Sequence, residues 1–183
     1  QAEEDTLTAI HLPALIAVAD ELAPPKLQLS DLLQQTVEIA KFCSKNAAAI
    51  DRHGVYPAQE FEWIASAGLL TAPLAPEFGG LGLGIESSSI DELLTILKQI
   101  GRANLAVGRI YEGHVNGLQL LQTFGTPAQI ARYAQDVRDR HKIFGVWNAE
   151  AKDGVKIIPL GQGKYRLEGA KTFATGCGCV DRP

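Results

Sequence analysis

The chain has 183 residues, 46% of them hydrophobic and 21% charged, and a formal net charge of −4. These values are typical of one globular domain, or of one domain and part of another, and the acidic balance argues against nucleic acid as a partner. No run reaches the ~20 apolar residues that span a bilayer, and three cysteines give no disulfide framework, so we expect a reducing, cytoplasmic compartment.

Residues 1–28 are interpreted as an appended arm. The first 30 residues hold five acids and one base. An apolar run at residues 12–19 is short and lies between acids, so it lacks the basic leader of a secretory signal. Residues 6–22 predict a helix that Pro24 and Pro25 end. We expect this arm to lie on the main body.

Helical periodicity continues after the arm. Ser30 is predicted to cap a first helix, which ends at Gly54. Pro57 fits the first position of a second helix, and Gly68 stops that helix. The buried face of the first helix is predicted from apolar residues at helical spacing, namely Leu29, Leu33, Val37, Ala40, Cys43, Ala47 and Ile50.

A hydrophobic stretch at residues 69–84, here called the crossing loop, separates these helices from the next ones. It has two prolines and four glycines among apolar residues. It therefore predicts a buried loop that turns at Pro76 and Glu77, rather than a helix or a strand. The glycines serve either tight packing or a phosphate loop. Packing is favoured because the spacing is not G-x-G-x-x-G and no Gly-Lys-Ser/Thr follows.

A clean amphipathic helix is predicted over residues 90–100. The next helix, from about residue 104 to residue 124, is apolar around much of its circumference, which marks it as central. Within it, Gly113 and Gly117 leave a bare backbone patch that close helix packing or a bound ligand would cover. His114 is interpreted as a core histidine bonded to a neighbour rather than as a proton shuttle.

A last helix has a well-formed start, in which Thr126 caps, Pro127 occupies the first turn and Gln129 completes a capping box. The periodicity then changes. Three segments predict strands, and the second and third form a hairpin: residues 143–148, 155–160 and 165–168. Extended structure resumes at residues 171–175.

Helices that are followed only by strands indicate separate domains. We therefore expect a mainly α chain, in which a helical domain at residues 29–142 precedes an antiparallel β domain at residues 143–183. About three strands cannot complete a sheet domain. The β domain is thus predicted to be truncated, with the natural chain continuing past Pro183.

Five segments, in order, resemble the acyl-CoA dehydrogenase family over roughly residues 29–180. They are Ala-Gly-Leu-Leu at 67–70, Pro-Glu-Phe-Gly-Gly-Leu-Gly-Leu at 76–83, the long helix with His114, Phe-Gly-Thr-Pro-Ala-Gln at 124–129, and the pair Val-Trp-Asn-Ala-Glu at 146–150 and Tyr-Arg-Leu-Glu-Gly-Ala-Lys-Thr-Phe-Ala-Thr-Gly at 165–176. The resemblance implies an N-terminal helical domain, a middle β domain and a C-terminal helical bundle, commonly in a homotetramer, with FAD between the last two.

The reaction that the resemblance implies is α,β-dehydrogenation of an acyl-CoA thioester, with FAD as hydride acceptor. The base would be a glutamate of the C-terminal bundle, so no catalytic residue is assigned here, and this chain alone is predicted to be inactive. Flavin contacts are implied for two segments, Trp147, Asn148 and Ala149 on one and Phe173, Ala174 and Thr175 on the other. The aromatic residue of the second segment would pack on the flavin, and the hydroxyl residue would contact N5.

The sequence departs from the family after the first of these segments. Ala149 stands where the family usually has threonine, and Glu150 is followed by Ala-Lys-Asp-Gly-Val instead of a glycine-serine loop. Lys152 either contacts an anion there or is a solvated turn lysine. These changes support a second hypothesis, a flavin-dependent monooxygenase that uses reduced flavin, with FMN as the cofactor.

A third hypothesis is a non-catalytic helical module that binds a partner through its acidic arm. For the enzyme, the expected partners are an acyl-CoA or another small substrate, an electron acceptor, and further copies of the chain in a homo-oligomer. No metal is expected, because Cys177 and Cys179 lack a second pair that would complete a zinc site.

Overall fold

The computed structural model describes residues 27–85, 87–150 and 152–183. Within them lie five α-helices and one hairpin: α1 (Leu29–His53), α2 (Ala58–Ser66), α3 (Ile90–Ala103), α4 (Leu105–Phe124), α5 (Pro127–Arg140), β1 (Lys156–Gly161) and β2 (Lys164–Glu168). This confirms the predicted class, a mainly α chain with a small antiparallel sheet. The predicted helix at residues 6–22 lies outside the described residues. None of the described helices is long and apolar enough to cross a membrane.

Helix α4 is the centre of the helical body, which we define as residues 29–140. It packs against α3, and α3 packs against α1. Its fully buried side chains come from one long stripe that faces the other helices and the crossing loop: Val107, Tyr111, His114, Val115 and Leu118. The prediction of a central helix is therefore confirmed, and Asn104 caps its start by accepting from the backbone N–H groups of Ala106 and Val107.

The predicted buried face of α1 is confirmed at Cys43 and Ile50 but not at Val37. The buried residues are Leu32, Thr36, Ile39, Cys43 and Ile50, whereas Val37 is 39% exposed. Periodicity alone favoured the more apolar row. Thr36 can take an interior position because its hydroxyl donates to the carbonyl oxygen of Leu32 at 2.7 Å, so no hydrogen-bonding group is lost on burial.

The prediction that Ser30 caps α1 is also wrong, because the helix begins at Leu29 and contains Ser30. Leu27, two residues earlier, packs against Gly68, where an added Cβ would lie 2.8 Å from the leucine Cδ1. This apolar contact fixes how the chain enters α1. The other end agrees with expectation, since Gly54 ends the helix in a left-handed conformation with a φ of 60°.

The crossing loop is buried as predicted, and its apolar residues are part of the core: Leu69, Leu70, Ala72, Leu74 and Leu83. A short 3₁₀ turn, Pro76–Phe78, bends it. At Gly80, an added Cβ would lie 2.0 Å from the carbonyl oxygen of Leu74, so only glycine fits there. The loop glycine therefore serves packing.

Side chains of α4 satisfy the buried backbone of the crossing loop. The Tyr111 hydroxyl donates to the carbonyl oxygen of Leu69 at 2.9 Å. Gln122 donates to the carbonyl oxygen of Pro73 at 3.0 Å and accepts from the N–H of Ala75 at 2.7 Å. Buried backbone groups need such partners, which explains how an irregular apolar segment can cross the interior.

Helix α5 has the predicted capping box, in which Thr126 and Gln129 each bond the other's backbone N–H. The expectation for the bare patch on α4 needs correction. At Gly117, an added Cβ would lie 2.9 Å from the Cβ of Phe144. The patch is thus covered by an extended part of the chain, and neither by a helix nor by a ligand.

Residues 143–148 do not form the predicted first strand. Phe144 makes only an isolated bridge with Arg182, and Glu150 makes one with Lys171. The backbone of this segment bonds other partners: the N–H of Gly145 donates to the carbonyl oxygen of Arg182 at 2.9 Å. These contacts keep the segment extended without a neighbouring strand, which is why its alternating pattern resembles a strand.

The predicted hairpin is confirmed, with each strand shifted by one residue from its predicted start. Strands β1 and β2 pair antiparallel, with Ile157 opposite Leu167 and Pro159 opposite Tyr165. An irregularity follows Pro159, which has no N–H to offer to the ladder.

Candidate functional site

The structure brings together the two segments that sequence analysis implicates in flavin contact. The indole Nε1 of Trp147 donates to the carbonyl oxygen of Thr175 at 3.0 Å. The N–H of Thr172 donates to the carbonyl oxygen of Ala149 at 3.0 Å. Just beyond, Lys171 and Glu150 form an ion pair of 2.5 Å. Residues that lie more than 20 positions apart in sequence therefore form one surface.

The six implicated residues differ in what they present on this surface. Asn148 and Ala149 are exposed, whereas Trp147, Ala174 and Thr175 are half-buried. Phe173 is 88% exposed. Trp147 mainly connects the two segments, because its only side-chain N–H is already bonded to the carbonyl oxygen of Thr175.

Phe173 adopts an unusual backbone conformation, with a φ of 54°. Left-handed backbone costs a non-glycine residue roughly 1–2 kcal/mol. The tight turn around it is closed by a bond from the N–H of Thr175 to the carbonyl oxygen of Phe173 at 2.9 Å. A strained turn that holds a large apolar ring out into solvent is typical of a functional surface.

The chemistry of this surface fits a flavin. A planar ring system needs an apolar face to stack on, and Phe173 offers one. Its polar edge needs donors and acceptors, and the exposed amide of Asn148 offers both. The hydroxyl of Thr175 lies on the same segment as Phe173.

A cleft of about 770 Å³ borders the candidate surface. It lies between the C-terminal half of α4 and residues 143–148, here called the extended segment, and Asn148 is one of its lining residues. Its walls are largely apolar, and its apolar lining residues are Leu120, Leu121, Phe124, Phe144, Val146 and Trp147. The volume is within the range of about 300–1,000 Å³ that small-molecule sites occupy.

The turn at residues 152–154 packs closely against its neighbours. An added Cβ at Gly154 would lie 2.1 Å from a carboxylate oxygen of Glu150, and one at Gly169 would lie 2.7 Å from the carbonyl oxygen of Gly154. This turn stands where the family has its glycine-serine loop. Lys152 lies exposed on it.

His114 connects the crossing loop to the extended segment. Its Nε2 lies 2.9 Å from the carbonyl oxygen of Leu70, and its Nδ1 lies 3.0 Å from the N–H of Phe144. The partners assign the tautomer: Nε2 carries the proton and donates, while Nδ1 accepts. Burial lowers the pKa of His114 to about 4, so the ring is neutral at physiological pH. The prediction of a bonded core histidine is confirmed.

An ion-pair cluster attaches the last described residues to α5. Asp136, a buried acid, accepts from Arg182 at 2.7 Å and from Arg140 at 3.3 Å. The hydrogen bond from Arg182 is the main reason that the pKa of Asp136 lies below its usual value. Sequence reasoning missed this pair, because 46 positions separate its members and neither lies in a motif.

No group of three or more His, Cys, Asp or Glu residues suited to a metal ion occurs in the part of the chain that the structure describes. Cys177 and Cys179 are exposed, and Cys43 is buried. Burial raises the pKa of the Cys43 thiol to about 11, so it behaves as a small apolar core residue.

Comparison with known proteins identifies the family. The model of the acyl-CoA dehydrogenase N-terminal domain matches residues 30–140. Acryloyl-CoA reductase (NADH) of Anaerotignum propionicum is 26% identical over 140 residues, which are 72% of this chain and 34% of that protein. The chain thus spans about a third of the length of this curated relative.

Two solved structures have the same fold. TdsC from Paenibacillus sp. A11-2, a dibenzothiophene monooxygenase seen with FMN and indole, is 27% identical with a TM-score of 0.70, over 82% of this chain and 36% of TdsC. Butyryl-CoA dehydrogenase from Megasphaera elsdenii is 19% identical with a TM-score of 0.69, over 84% of this chain and 42% of that one. With a family model that covers more than half of its residues, the chain belongs to the acyl-CoA dehydrogenase family.

Proposed function

We propose that this chain supplies the N-terminal helical domain, and one wall of the flavin site, of a flavin-dependent monooxygenase within the acyl-CoA dehydrogenase family. The observation that carries this choice is the segment that stands in place of the family's glycine-serine loop, where Gly154 packs on Glu150 and Gly169 packs on Gly154. This segment, Ala-Lys-Asp-Gly-Val, has no serine and a single glycine with which to hold a pyrophosphate. The missing hydroxyl at Ala149 supports the same choice.

In this proposal, Phe173 supplies the stacking face and Asn148 and Thr175 supply polar contacts to the flavin. FMN and FAD share the ring system that these residues would hold, and FMN, which has no pyrophosphate, is the cofactor that the altered loop favours. A reduced flavin held here would supply the two electrons that, with two protons, reduce one atom of O₂ to water while the other atom enters the substrate. The protein's own contribution here is to bind and orient the ring and to exclude water from one side of it.

The neighbouring cleft supports a small apolar substrate. Its walls include Leu120, Phe124 and Trp147, which suit contact with an apolar or aromatic compound, and Asp181 and Arg182 line it as well. TdsC, which is 27% identical to this chain over the part of both that aligns, holds indole and is named a dibenzothiophene monooxygenase. We therefore propose a small heteroaromatic compound as the substrate class.

The second candidate is acyl-CoA dehydrogenation with FAD, favoured by the similarity to acryloyl-CoA reductase. It would need a different group to replace the glycine-serine loop, and Lys152 is the exposed cation in that position. A homo-oligomer and a cytoplasmic location remain expectations that go with either candidate, and an electron acceptor remains one for the dehydrogenase.

The two candidates separate in one set of assays on the whole natural protein. Reduced FMN or FAD is supplied with indole or dibenzothiophene under ¹⁸O₂, and the product is examined for ¹⁸O by mass spectrometry. In parallel, acyl-CoA thioesters of several lengths are tested anaerobically with an artificial electron acceptor. We expect ¹⁸O in the product and no acceptor reduction. Acyl-CoA-dependent acceptor reduction without oxygen incorporation would overturn the monooxygenase proposal.

A further inference from the structure

We propose that His114 is a positioning residue for the flavin wall, because it sets where the extended segment lies along α4. The proposal rests on the proposed function in one respect only, namely that Asn148 and its neighbours contact the flavin. The physical coupling itself, from the crossing loop through His114 to Phe144, is a property of the chain with or without a flavin.

Both ring nitrogens of His114 bond to backbone groups that are distant in sequence. One partner is Leu70, 44 residues before it, and the other is Phe144, 30 residues after it. The histidine is fully buried, and the residues at both ends of the bridge are buried as well. A neutral imidazole is the side chain that donates from one edge and accepts at the other in a fixed geometry. The ring therefore holds two irregular segments at a set distance.

The bridge acts close to the candidate site. Phe144 precedes Trp147 by three residues, and Trp147 bonds Thr175 of the second flavin segment. On the other side of Phe144, Gly117 of α4 allows a close approach to the Phe144 Cβ. The extended segment is thus fixed at its start by His114 and Gly117, and at its end by the Trp147 contact.

Two substitutions separate positioning from simple core packing. His114→Asn places an amide oxygen near the position of Nδ1, so it keeps an acceptor for Phe144 and loses the bond to Leu70. His114→Gln places an amide nitrogen near the position of Nε2, so it keeps the bond to Leu70 and leaves the Phe144 N–H without its acceptor. Both variants lose one hydrogen bond and aromatic packing, so a purely structural role predicts similar behaviour.

The experiment measures two quantities in the whole natural protein. Hydrogen–deuterium exchange of peptides that contain Phe144 reports the bridge directly. Fluorescence titration with FMN and with FAD reports the dissociation constant of the flavin. Tyr111→Phe is the matched control. It removes a hydrogen bond from the same helix to the crossing loop, at Leu69, and this bond does not involve the extended segment.

We expect His114→Gln to speed exchange at Phe144 and to weaken flavin binding ~tenfold, the factor that corresponds to one hydrogen bond of about 1.4 kcal/mol. His114→Asn and Tyr111→Phe should stay within about twofold of the wild-type dissociation constant, a factor well below the tenfold step. Equal weakening by His114→Asn and His114→Gln, or no weakening by either, would overturn the proposal.

Gly117→Ala keeps the test decisive if the histidine variants do not fold. It pushes on Phe144 from α4 while leaving His114 intact, so it should also weaken flavin binding, and unchanged binding would count against the proposal. A wild-type protein that binds no flavin would refute the proposed function instead. In that case the exchange at Phe144 still confirms or refutes the bridge.

Discussion

In the helical body, large side chains such as Leu118 and Ile96 are fully buried, whereas in the C-terminal segment, residues 143–183, the apolar side chains of the hairpin are exposed. The body is stabilised by burial of apolar surface. The segment is held to it by a few bonds, which include those from His114 to Phe144 and from Asp136 to Arg182. The residues proposed to contact the flavin lie in the segment, so their positions depend on the body.

The hairpin shows the contrast most clearly. Ile157, Leu167, Pro159 and Tyr165 form two cross-strand pairs on one face, and Leu167 is 68% exposed. A two-stranded hairpin alone is marginally stable in water. This apolar face therefore contributes little buried surface to the stability of the described residues.

The largest effect should come from the core of the body, and it tests the comparison directly. Leu118→Ala should lower the free energy of unfolding by about 2–5 kcal/mol, because it leaves a cavity beside the crossing loop. Leu167→Ala, the matched change in the hairpin, should cost less than about 0.5 kcal/mol. Urea denaturation of the 183-residue chain measures both, and similar costs would break the distinction between the two regions.

Acid should weaken the contact between the regions through His114. Its folded-state pKa is about 4, below the ordinary 6.5, so the unfolded state binds the proton first as the pH falls. The contribution of neutral His114 to the free energy of unfolding is therefore complete above about pH 6.5. It is lost toward pH 4, by at most about 1.4 kcal/mol per pH unit. Denaturation of the wild type and of His114→Asn across this range measures the loss. A wild-type slope no steeper than that of the variant would contradict this linkage.

Two glycines, Gly101 in α3 and Gly108 in α4, test how closely these two helices of the body pack. At Gly108, an added Cβ would lie 2.5 Å from the Cα of Gly101, whereas at Gly101 an added Cβ meets nothing within 4 Å. Gly108→Ala should destabilise by about 1–3 kcal/mol through overpacking between α3 and α4. Gly101→Ala should stabilise by about 0.5–1 kcal/mol, because alanine favours helix. Thermal unfolding of both variants checks the predicted opposite signs.

The smallest effect should come from the ion pair that attaches the segment to α5. Asp136→Asn removes the charge that Arg182 and Arg140 neutralise. Asp136 is buried, but both arginine side chains reach solvent, which screens the pairs and keeps their contribution small. The sign depends on pH: the pKa of Asp136 is lowered in the folded state, so its contribution is present above the ordinary pKa of about 3.9 and is lost below it. Unfolding curves of variant and wild type should differ at pH 7 and converge at low pH. A difference that persists in acid would show that the effect is not electrostatic.

The sequence predicted those features that local chemistry determines. The capping box at Thr126 and the buried crossing loop follow from residues that are adjacent in the chain. The hairpin follows from alternation around a turn with two glycines. The family resemblance added the two segments that are proposed to contact the flavin, and the structure places these segments side by side. Each of these rests on a pattern that a short window of sequence contains.

Features that depend on distant partners could not be predicted. The burial of Thr36 in α1 was missed because its hydroxyl is satisfied within the helix by the carbonyl oxygen of Leu32, which periodicity cannot reveal. Residues 143–148 were predicted to form a strand from their alternating pattern. The prediction failed because their actual partners, the His114 side chain and the backbone of Arg182, are distant in sequence and do not form a strand. His114 was predicted to be bonded, but Phe144 could not be named as its partner from the sequence.

Flavin titration of two phenylalanine variants tests the central claim, that the Phe173 turn and the Asn148 segment form a flavin wall. Phe173→Ala removes the exposed ring of the C-terminal segment, and Phe42→Ala removes an exposed ring of α1 as a control. In the whole natural protein, we expect Phe173→Ala to weaken binding of FMN or FAD ~tenfold or more, which corresponds to the loss of about 1.4 kcal/mol or more of stacking and burial. Phe42→Ala should bind flavin as the wild type does. Equal flavin affinity of Phe173→Ala and wild type would contradict the account.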